Sequence, residues 1–163
     1  MKDIEQVARG FAEGAHGDQK YGKKPYVTHL AAVRAVLGEF GFKDENLRVA
    51  SWLHDVLEDT KITPAQLELA FGSTVTHLVW AVTGIGKNRK ERTENAYDKM
   101  TDYPRAIPLK LADRIANGRA SVKDNPSLLA MYRKEYAGFR AKLYRLSEEE
   151  EAPMWAELDR LFK

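Results

Sequence analysis

The chain has 163 residues, enough for one domain with a sizeable hydrophobic core and too few for two comfortable ones. Its 26 basic and 24 acidic residues leave a net charge of +2, so the overall charge indicates neither nucleic acid nor a membrane surface as partner. Cysteine is absent from the sequence, which excludes disulfides, thiolate metal sites and a cysteine nucleophile.

The N-terminal segment carries no targeting signal that we can identify. Met1–Glu5 lacks the apolar core of a signal peptide. No run of the sequence approaches the roughly 18 apolar residues of a membrane span. We therefore expect a soluble, cytoplasmic protein.

Apolar residues recur at helical spacing along nearly the whole chain. A loop rich in Gly and Lys interrupts them from His16 to Pro25. The segments predicted as helices are residues 3–14, 26–40, 44–56 with a continuation into an acidic turn, 63–72, 73–83, 91–101, 104–121, 125–146 and 147–162. This pattern predicts an all-α fold of about eight to ten helices in a single domain, residues 1–163.

Several helix ends have recognisable signals. Asp3 and Asp44 are suitable N-caps, and Gly41 is a suitable C-terminal stop. Thr63, followed by Pro at the first helical position and by Gln66, predicts a capping box.

Residues 73–83 are the ambiguous stretch, because their β-branched content would also suit a strand. We interpret them as a helix, since Ser73 follows a Gly stop and no convincing partner strand exists.

An acidic turn, residues 51–60, concentrates His54, Asp55, Glu58 and Asp59 between apolar residues. If the segment is helical, His54 and Asp55 lie one turn from Glu58 and Asp59. Three carboxylates without a Lys or Arg among them repel one another, and a cleft tolerates them mainly when a cation is present. The alternative is a solvated acidic helix end, but the apolar flanks indicate a helix packed into a core.

Two further residues on other helices could complete a metal site. His29 lies in the first turn of the second helix, where a structural histidine is the alternative. Asp113 lies within an apolar stripe and needs a partner, which could also be Arg114 in a structural ion pair. Two imidazoles and two carboxylates would suit octahedral Mn²⁺ or Fe²⁺. A water bound to such a metal is the usual nucleophile in phosphate-ester hydrolysis.

Two basic segments are candidate anion-binding loops, although a solvated surface is the alternative for both. The first contains Lys20, Lys23 and Lys24 and lies just before the helix of His29. The second runs from Lys87 to Arg92.

Three segments carry a family resemblance. They are residues 25–29 (Pro-Tyr-Val-Thr-His), 53–60 (Leu-His-Asp-Val-Leu-Glu-Asp-Thr) and 110–117 (Lys-Leu-Ala-Asp-Arg-Ile-Ala-Asn). In this order they resemble the hydrolase motifs of the HD superfamily, specifically of the RelA/SpoT homologues. The resemblance covers roughly residues 5 to 145, and the His-Asp-x-x-Glu-Asp form is far more specific than a bare His-Asp pair.

The resemblance implies a stand-alone small alarmone hydrolase with a central metal site in an HD-domain bundle. Its reaction would remove pyrophosphate from the 3′ position of (p)ppGpp or a close relative, by attack of a Mn²⁺-bound water. The small-molecule nucleotide would be its partner, with no nucleic acid or membrane.

The resemblance also implies roles for individual residues. The metal ligands would be His29, His54, Asp55 and Asp113. Glu58 and Asp59 would orient or deprotonate the attacking water. The substrate-binding residues would be Lys20, Tyr21, Lys23, Lys24, Lys87, Arg89, Asn117 and Tyr136.

The chain departs from the family at two places. Relatives often have Arg-Lys after the Gln of this loop, with the Arg stacking on guanine, whereas this chain has Lys20 and Tyr21 after Gln19, in a loop that is one residue shorter. Relatives often have Thr where this chain has Ala120. Tyr21 could stack on a purine instead, so both ppGpp and ppApp stay open as substrates.

Two alternative functions also stay open. One is another HD-type phosphohydrolase, acting as an NADPH 2′-phosphatase or a nucleotidase. The other is a non-catalytic alarmone-binding module, which would gain nothing from the extra carboxylates of Glu58 and Asp59.

Overall fold

The computed structural model describes residues 3–163, and this part of the chain folds into ten α-helices and one small hairpin. The helices are α1 (Ile4–His16), α2 (Val27–Glu39), α3 (Glu45–Leu53), α4 (Val56–Asp59), α5 (Pro64–Phe71), α6 (Ser73–Val82), α7 (Arg89–Asp102), α8 (Ile107–Asp124), α9 (Pro126–Leu143) and α10 (Ala152–Phe162). The hairpin strands are β1 (Lys20–Tyr21) and β2 (Lys24–Pro25). The all-α fold expected from the sequence is confirmed.

The helix-end signals act as the sequence predicts. Asp3 and Asp44 are N-caps whose carboxylates accept backbone N–H groups of α1 and α3. Thr63 and Gln66 form both hydrogen bonds of a capping box at the start of α5. Gly72 follows α5 with φ +87°, a conformation that favours glycine, and lets α6 start at once in a new direction.

The structure corrects the prediction of a third helix running unbroken into the acidic turn. Helix α3 ends at Leu53, His54 and Asp55 form a turn, and α4 begins at Val56. The two ligand candidates therefore lie between two helices rather than on the face of one continuous helix.

A second correction concerns residues 16–25, which the sequence predicted as an irregular loop. Tyr21 pairs with Lys24 across a tight antiparallel turn in which Gly22 has φ +61°. Strands of two residues leave no detectable alternation in the sequence, which is why the hairpin was missed.

Helix α8 lies at the centre of the bundle and packs against α2, α9 and α10. Its side chains Leu109, Leu111 and Ile115 are completely buried. Residues 73–82 form α6, which packs on α3, so the helical interpretation of this ambiguous stretch is confirmed. No helix among residues 3–163 has the length and apolar character needed to cross a bilayer.

Glu5 on α1 connects three helices through its carboxylate. Arg34 of α2 donates to this carboxylate, as do Arg48 of α3, at 2.6 Å, and the Trp52 indole, at 3.2 Å. Burial alone would raise the pKa of Glu5, but the hydrogen bonds from Arg34 and Trp52 and the two arginine charges lower it below its ordinary value of 4.5.

We expect Glu5→Gln to lower the free energy of unfolding by about 2 kcal/mol at pH 7, because a partly buried charge-assisted network is lost. Because the pKa of Glu5 is lower in the folded than in the unfolded chain, its ionised carboxylate stabilises the fold above pH 4.5. This stabilisation is lost as the pH falls through the pKa of the folded state. The difference between variant and wild type should therefore shrink in urea unfolding at pH 3.

Glu13→Gln is the matched control, since Glu13 forms an exposed pair with Arg9 on the same helix. Equal destabilisation by the two variants would contradict a special role of Glu5.

Candidate metal centre and active site

Three parts of the fold bring four metal-ligating side chains together. His29 lies in the first turn of α2, Asp113 lies on α8, and His54 and Asp55 form the turn between α3 and α4. One donor atom from each of the four lies within 4.8 Å of all the others. The Nε2 atoms of both histidines are 3.0–3.3 Å from Asp113 Oδ1. The four residues that the sequence singled out are thus neighbours in space.

The hydrogen bond of His54 determines which ring nitrogen is free. Its Nδ1 lies 2.8 Å from the Ser51 carbonyl oxygen, which can only accept, so Nδ1 carries the proton. The lone pair on Nε2 then faces Asp55 Oδ2 at 3.0 Å, and this buried nitrogen has no hydrogen-bond partner in the described chain. The lone pairs of the His54 nitrogen and of the Asp55 oxygen face each other, and a cation between them would bind both. The four donor groups therefore suit a divalent metal ion.

The electrostatics of the cluster also favour positive charge. Burial alone would lower the pKa of His54, but the carboxylates of Asp55 and Asp113 raise it well above its ordinary value. Burial would raise the pKa of Asp113, yet His29 and His54 hold it well below the ordinary range. A bound metal ion would supply the positive charge between these carboxylates that protonation of the histidines supplies in its absence.

A second layer of hydrogen bonds orients the candidate ligands. The Tyr26 hydroxyl donates to Asp55 Oδ2 at 2.6 Å, and the Asn117 amide donates to Asp113 Oδ1 at 3.0 Å. The Tyr21 hydroxyl in turn donates to Asn117 Oδ1 at 2.7 Å. Such outer contacts fix the direction of metal ligands and are part of a working site. The sequence did not predict this role for Tyr26.

Tyr21 and Asn117, which the sequence assigned to the nucleotide, are therefore bonded to each other beside the cluster. The Tyr21 ring also stacks on His29, with 4.7 Å between ring centroids and 17° between planes. Tyr21 thus contacts a candidate metal ligand directly.

Glu58 and Asp59 lie on α4 and line the same cavity as the four ligands. Burial raises the pKa of both carboxyls, and the nearby Asp55 charge raises it further. The Gln19 amide donates to Asp59 Oδ2 at 3.1 Å and limits the orientations of that carboxylate. Carboxyls with raised pKa values beside a cation site are suited to proton transfer.

Three cationic side chains also line this cavity. They are Arg89, Lys110 and Arg114, and the Lys110 Nζ atom lies 3.6 Å from Asp113 Oδ2. The sequence predicted only Arg89 as a substrate contact. Lys110 and Arg114 flank Asp113 within the third motif, and that proximity was the available signal.

The exposed lysines predicted to bind substrate do not line the cavity. Lys20, Lys23 and Lys24 are exposed on the hairpin beside it, and Lys87 is exposed in the loop before α7. Their effect on a ligand would come from long-range attraction or from contacts at the rim.

Tyr136 lies away from this cavity, in the packing between α9 and α10. It is buried, and its hydroxyl donates to Asp159 Oδ1 at 2.5 Å. Tyr132, one helical turn earlier on α9, lines the cavity instead. The contact of Tyr136 with a nucleotide, which the resemblance implied, stays a prediction.

The chain belongs to the HD domain family, which matches residues 8–139. This family membership agrees with a His/Asp cluster that can bind a divalent metal ion.

Curated relatives are named for alarmone metabolism. The guanosine-3′,5′-bis(diphosphate) 3′-pyrophosphohydrolase of Aquifex aeolicus is 37% identical over 91% of this chain. The bifunctional (p)ppGpp synthase/hydrolase SpoT of Escherichia coli is 38% identical over 73% of it. The chain spans only 20% and 18% of the length of these two relatives.

Two solved structures have a similar fold. A metazoan ortholog of SpoT, described as hydrolysing ppGpp, superposes with a TM-score of 0.79 and 26% identity, covering 99% of this chain and 95% of its own. A Listeria monocytogenes protein gives a TM-score of 0.70 and 30% identity, covering 85% of this chain and 94% of its own.

We expect His54→Ala to abolish stoichiometric binding of a divalent metal, because the variant lacks a buried nitrogen at the centre of the cluster. Equilibrium dialysis with Mn²⁺ measures this directly. Mn²⁺ should also raise the melting temperature of the wild type by several degrees and leave that of the variant unchanged.

His77→Ala is the control, because His77 stacks on Tyr103 outside the cluster. Undiminished metal stoichiometry in His54→Ala would remove His54 from the ligand set.

Proposed function

We propose that the chain is a metal-dependent 3′-pyrophosphohydrolase of alarmone nucleotides, (p)ppGpp and/or ppApp, in a single domain over residues 1–163. One observation carries the proposal: Glu58 and Asp59 line the same cavity as the His/Asp cluster and three cationic side chains. The arrangement offers groups for a metal, a water molecule and a phosphate.

The comparisons support hydrolysis more than synthesis. The curated relatives are several times longer than this chain, and one of them is named for both activities. The metazoan ortholog, described as hydrolysing ppGpp, is covered over 95% of its length. A protein of nearly the same extent and fold as this chain is thus associated with hydrolysis.

His29, His54, Asp55 and Asp113 would hold the metal, which we propose to be Mn²⁺ because mixed imidazole and carboxylate donors suit it. When bound, such a cation acts as a Lewis acid toward phosphoryl oxygens and lowers the pKa of water.

The chain's own carboxylates would then manage the attacking water. Glu58 or Asp59 accepts a hydrogen bond from the water, orients it and takes its proton. The new bond forms between the water oxygen and the phosphorus attached to the 3′ oxygen, and the bond from that phosphorus to the 3′ oxygen breaks. The 3′ oxygen leaves and takes up the proton that Glu58 or Asp59 removed from the water, so the products are a nucleotide that keeps its 5′ phosphates and has a free 3′ hydroxyl, and pyrophosphate.

Both purine bases fall within the proposal. Tyr21 already stacks on His29 and bonds to Asn117, so stacking on a base would use the other face of its ring. An aromatic face accepts guanine and adenine alike.

A comparative assay tests the function. Purified protein with Mn²⁺ should release pyrophosphate from ppGpp, from ppApp or from both. No release from either would overturn the proposal. Orthophosphate release from NADPH or from nucleoside monophosphates, with both alarmones intact, would instead identify another type of HD phosphohydrolase.

We expect Glu58→Gln to lower kcat about 100-fold or more while metal stoichiometry stays unchanged, because the amide keeps the shape and loses the proton acceptor. Steady-state kinetics and equilibrium dialysis measure the two quantities.

Glu68→Gln, at an exposed position on α5, should behave as wild type. A non-catalytic alarmone-binding module would bind ppGpp equally well before and after the Glu58 change and would show no turnover in either form.

We expect the double variant Lys23→Ala/Lys24→Ala to raise KM several-fold and to leave kcat unchanged. The two exposed lysines attract a polyanionic substrate without touching the reacting atoms, so the effect should decline as salt is added. Kinetics at two ionic strengths provide the measurement.

The matched control removes two exposed lysines elsewhere, as Lys61→Ala/Lys142→Ala. An unchanged KM in the hairpin variant would rule out the lysines as substrate contacts.

A further inference from the structure

His16, the last residue of α1, is a buried histidine outside the His/Asp cluster. Only 7% of its surface is exposed. Its Nδ1 atom lies 2.8 Å from the side-chain oxygen of Gln19. Its Nε2 atom is buried and has no hydrogen-bond partner among residues 3–163. Within this part of the chain, Gln19 is therefore the hydrogen-bond partner of the ring.

The side chain of Gln19 connects this ring to Asp59. Its amide nitrogen donates to Asp59 Oδ2 at 3.1 Å, while its amide oxygen faces His16. A reversed amide would place its oxygen against a carboxylate that can only accept, so the observed orientation is the one that satisfies both ends. The amide oxygen can also only accept, so His16 carries a proton on Nδ1. The hydrogen bonds therefore run in one direction, from His16 to Gln19 and from Gln19 to Asp59.

Backbone hydrogen bonds hold Gln19 in place between these two residues. The Gln19 N–H donates to the His16 carbonyl at 3.1 Å, and the Gln19 carbonyl accepts from the Tyr26 N–H at 3.2 Å. The second bond closes the base of the β1–β2 hairpin, since Lys20 and Pro25 are the next pair. Only the side-chain torsions of Gln19 then remain to be fixed, and the bond from His16 fixes them.

Ring packing alone does not explain a histidine at this position. The His16 ring packs on the Tyr26 ring, with 4.6 Å between centroids and 35° between planes. A phenyl ring would make a similar contact without burying a nitrogen that lacks a partner, which costs free energy. What the imidazole adds is the Nδ1 proton, and that proton is donated to Gln19.

We propose that His16 is a positioning residue for hydrolysis, which acts through Gln19 to fix the orientation of the Asp59 carboxylate. Neither His16 nor Gln19 lines the cavity that contains Asp59 and the His/Asp cluster, so both act from outside it. Holding Oδ2 fixes the direction of the remaining carboxylate lone pairs, and these accept the hydrogen bond from the attacking water. The inference rests on the proposed function for the identity of that water.

Two substitutions of His16 separate the proton from the ring. His16→Phe keeps a ring on Tyr26 and loses the Nδ1 donor, so kcat for pyrophosphate release should fall about tenfold, with KM and Mn²⁺ stoichiometry unchanged. His16→Asn places an amide N–H at the same number of bonds from the backbone and should keep kcat within about threefold of wild type. A role in ring packing predicts the reverse order, which would overturn the proposal. His77→Phe makes the same change at an exposed ring and should behave as wild type.

A double-mutant cycle shows whether His16 acts through Gln19. Gln19→Leu removes the amide and should also lower kcat about tenfold. Adding His16→Phe to this variant should lower kcat no further, because the group through which His16 acts is already absent. Multiplication of the two effects would mean independent action and would overturn the proposal. Gln6→Leu, at an exposed position on α1, is the control and should leave kcat unchanged.

Nitrogen NMR of the histidine rings in the wild-type chain keeps the proposal testable if the variants fail to fold. At pH 8 the His16 ring should carry its proton on Nδ1 and none on Nε2. A proton on Nε2 with a bare Nδ1 would reverse the hydrogen bond to Gln19 and would overturn the proposal.

Failure of the proposed function is recognised separately. No pyrophosphate release from ppGpp or ppApp would overturn the hydrolase, and this role of His16 with it, even with the proton found on Nδ1. Release of pyrophosphate with a kcat that His16→Phe leaves unchanged would keep the hydrolase and overturn the role of His16 alone.

Discussion

The close approach of the Asp55 and Asp113 carboxylates is the interaction on which the site depends. Both face the Nε2 atoms of two buried histidines across 3.0–3.6 Å. Two carboxylates whose donor atoms lie within 4.8 Å of each other in a partly buried site repel strongly, and only a fold that gains stability elsewhere can hold them together. The completely buried apolar side chains of α8 and α2 supply that gain, and the two helices pack against each other.

The turn between α3 and α4 gives the two parts of the candidate active site their separate positions. His54 and Asp55 occupy the turn, and their side chains reach His29 and Asp113. Glu58 and Asp59 follow on the short helix α4 and line the same cavity. A continuous helix would align all four along one stripe. The break lets the cation ligands converge inward while the other two carboxylates remain within reach of a water molecule and a substrate.

The sequence predicted most of the helices and the ligand candidates because their signals are local. A helix N-cap or a capping box can be recognised from about four consecutive residues, as at Asp3, Asp44 and Thr63. The turn at His54 was missed because neither Gly nor Pro marks it. Both of its residues keep backbone angles close to helical, with φ and ψ of −62° and −24° at His54 and −102° and 0° at Asp55. Nothing in the residue types distinguishes that geometry from a helix.

The errors of the sequence analysis concern contacts between distant segments. Arg114 was considered as a structural partner of its neighbour Asp113, but on α8 it points to Tyr132 and Phe139 of α9. Which tyrosine of α9 faces the cavity depends on how that helix is rotated against α8, and the sequence pattern leaves this undetermined within one turn. The cavity therefore combines the carboxylates of α4 and of the His/Asp cluster with the cationic side chains Arg89 of α7 and Lys110 and Arg114 of α8, a combination that no single segment of the sequence displays.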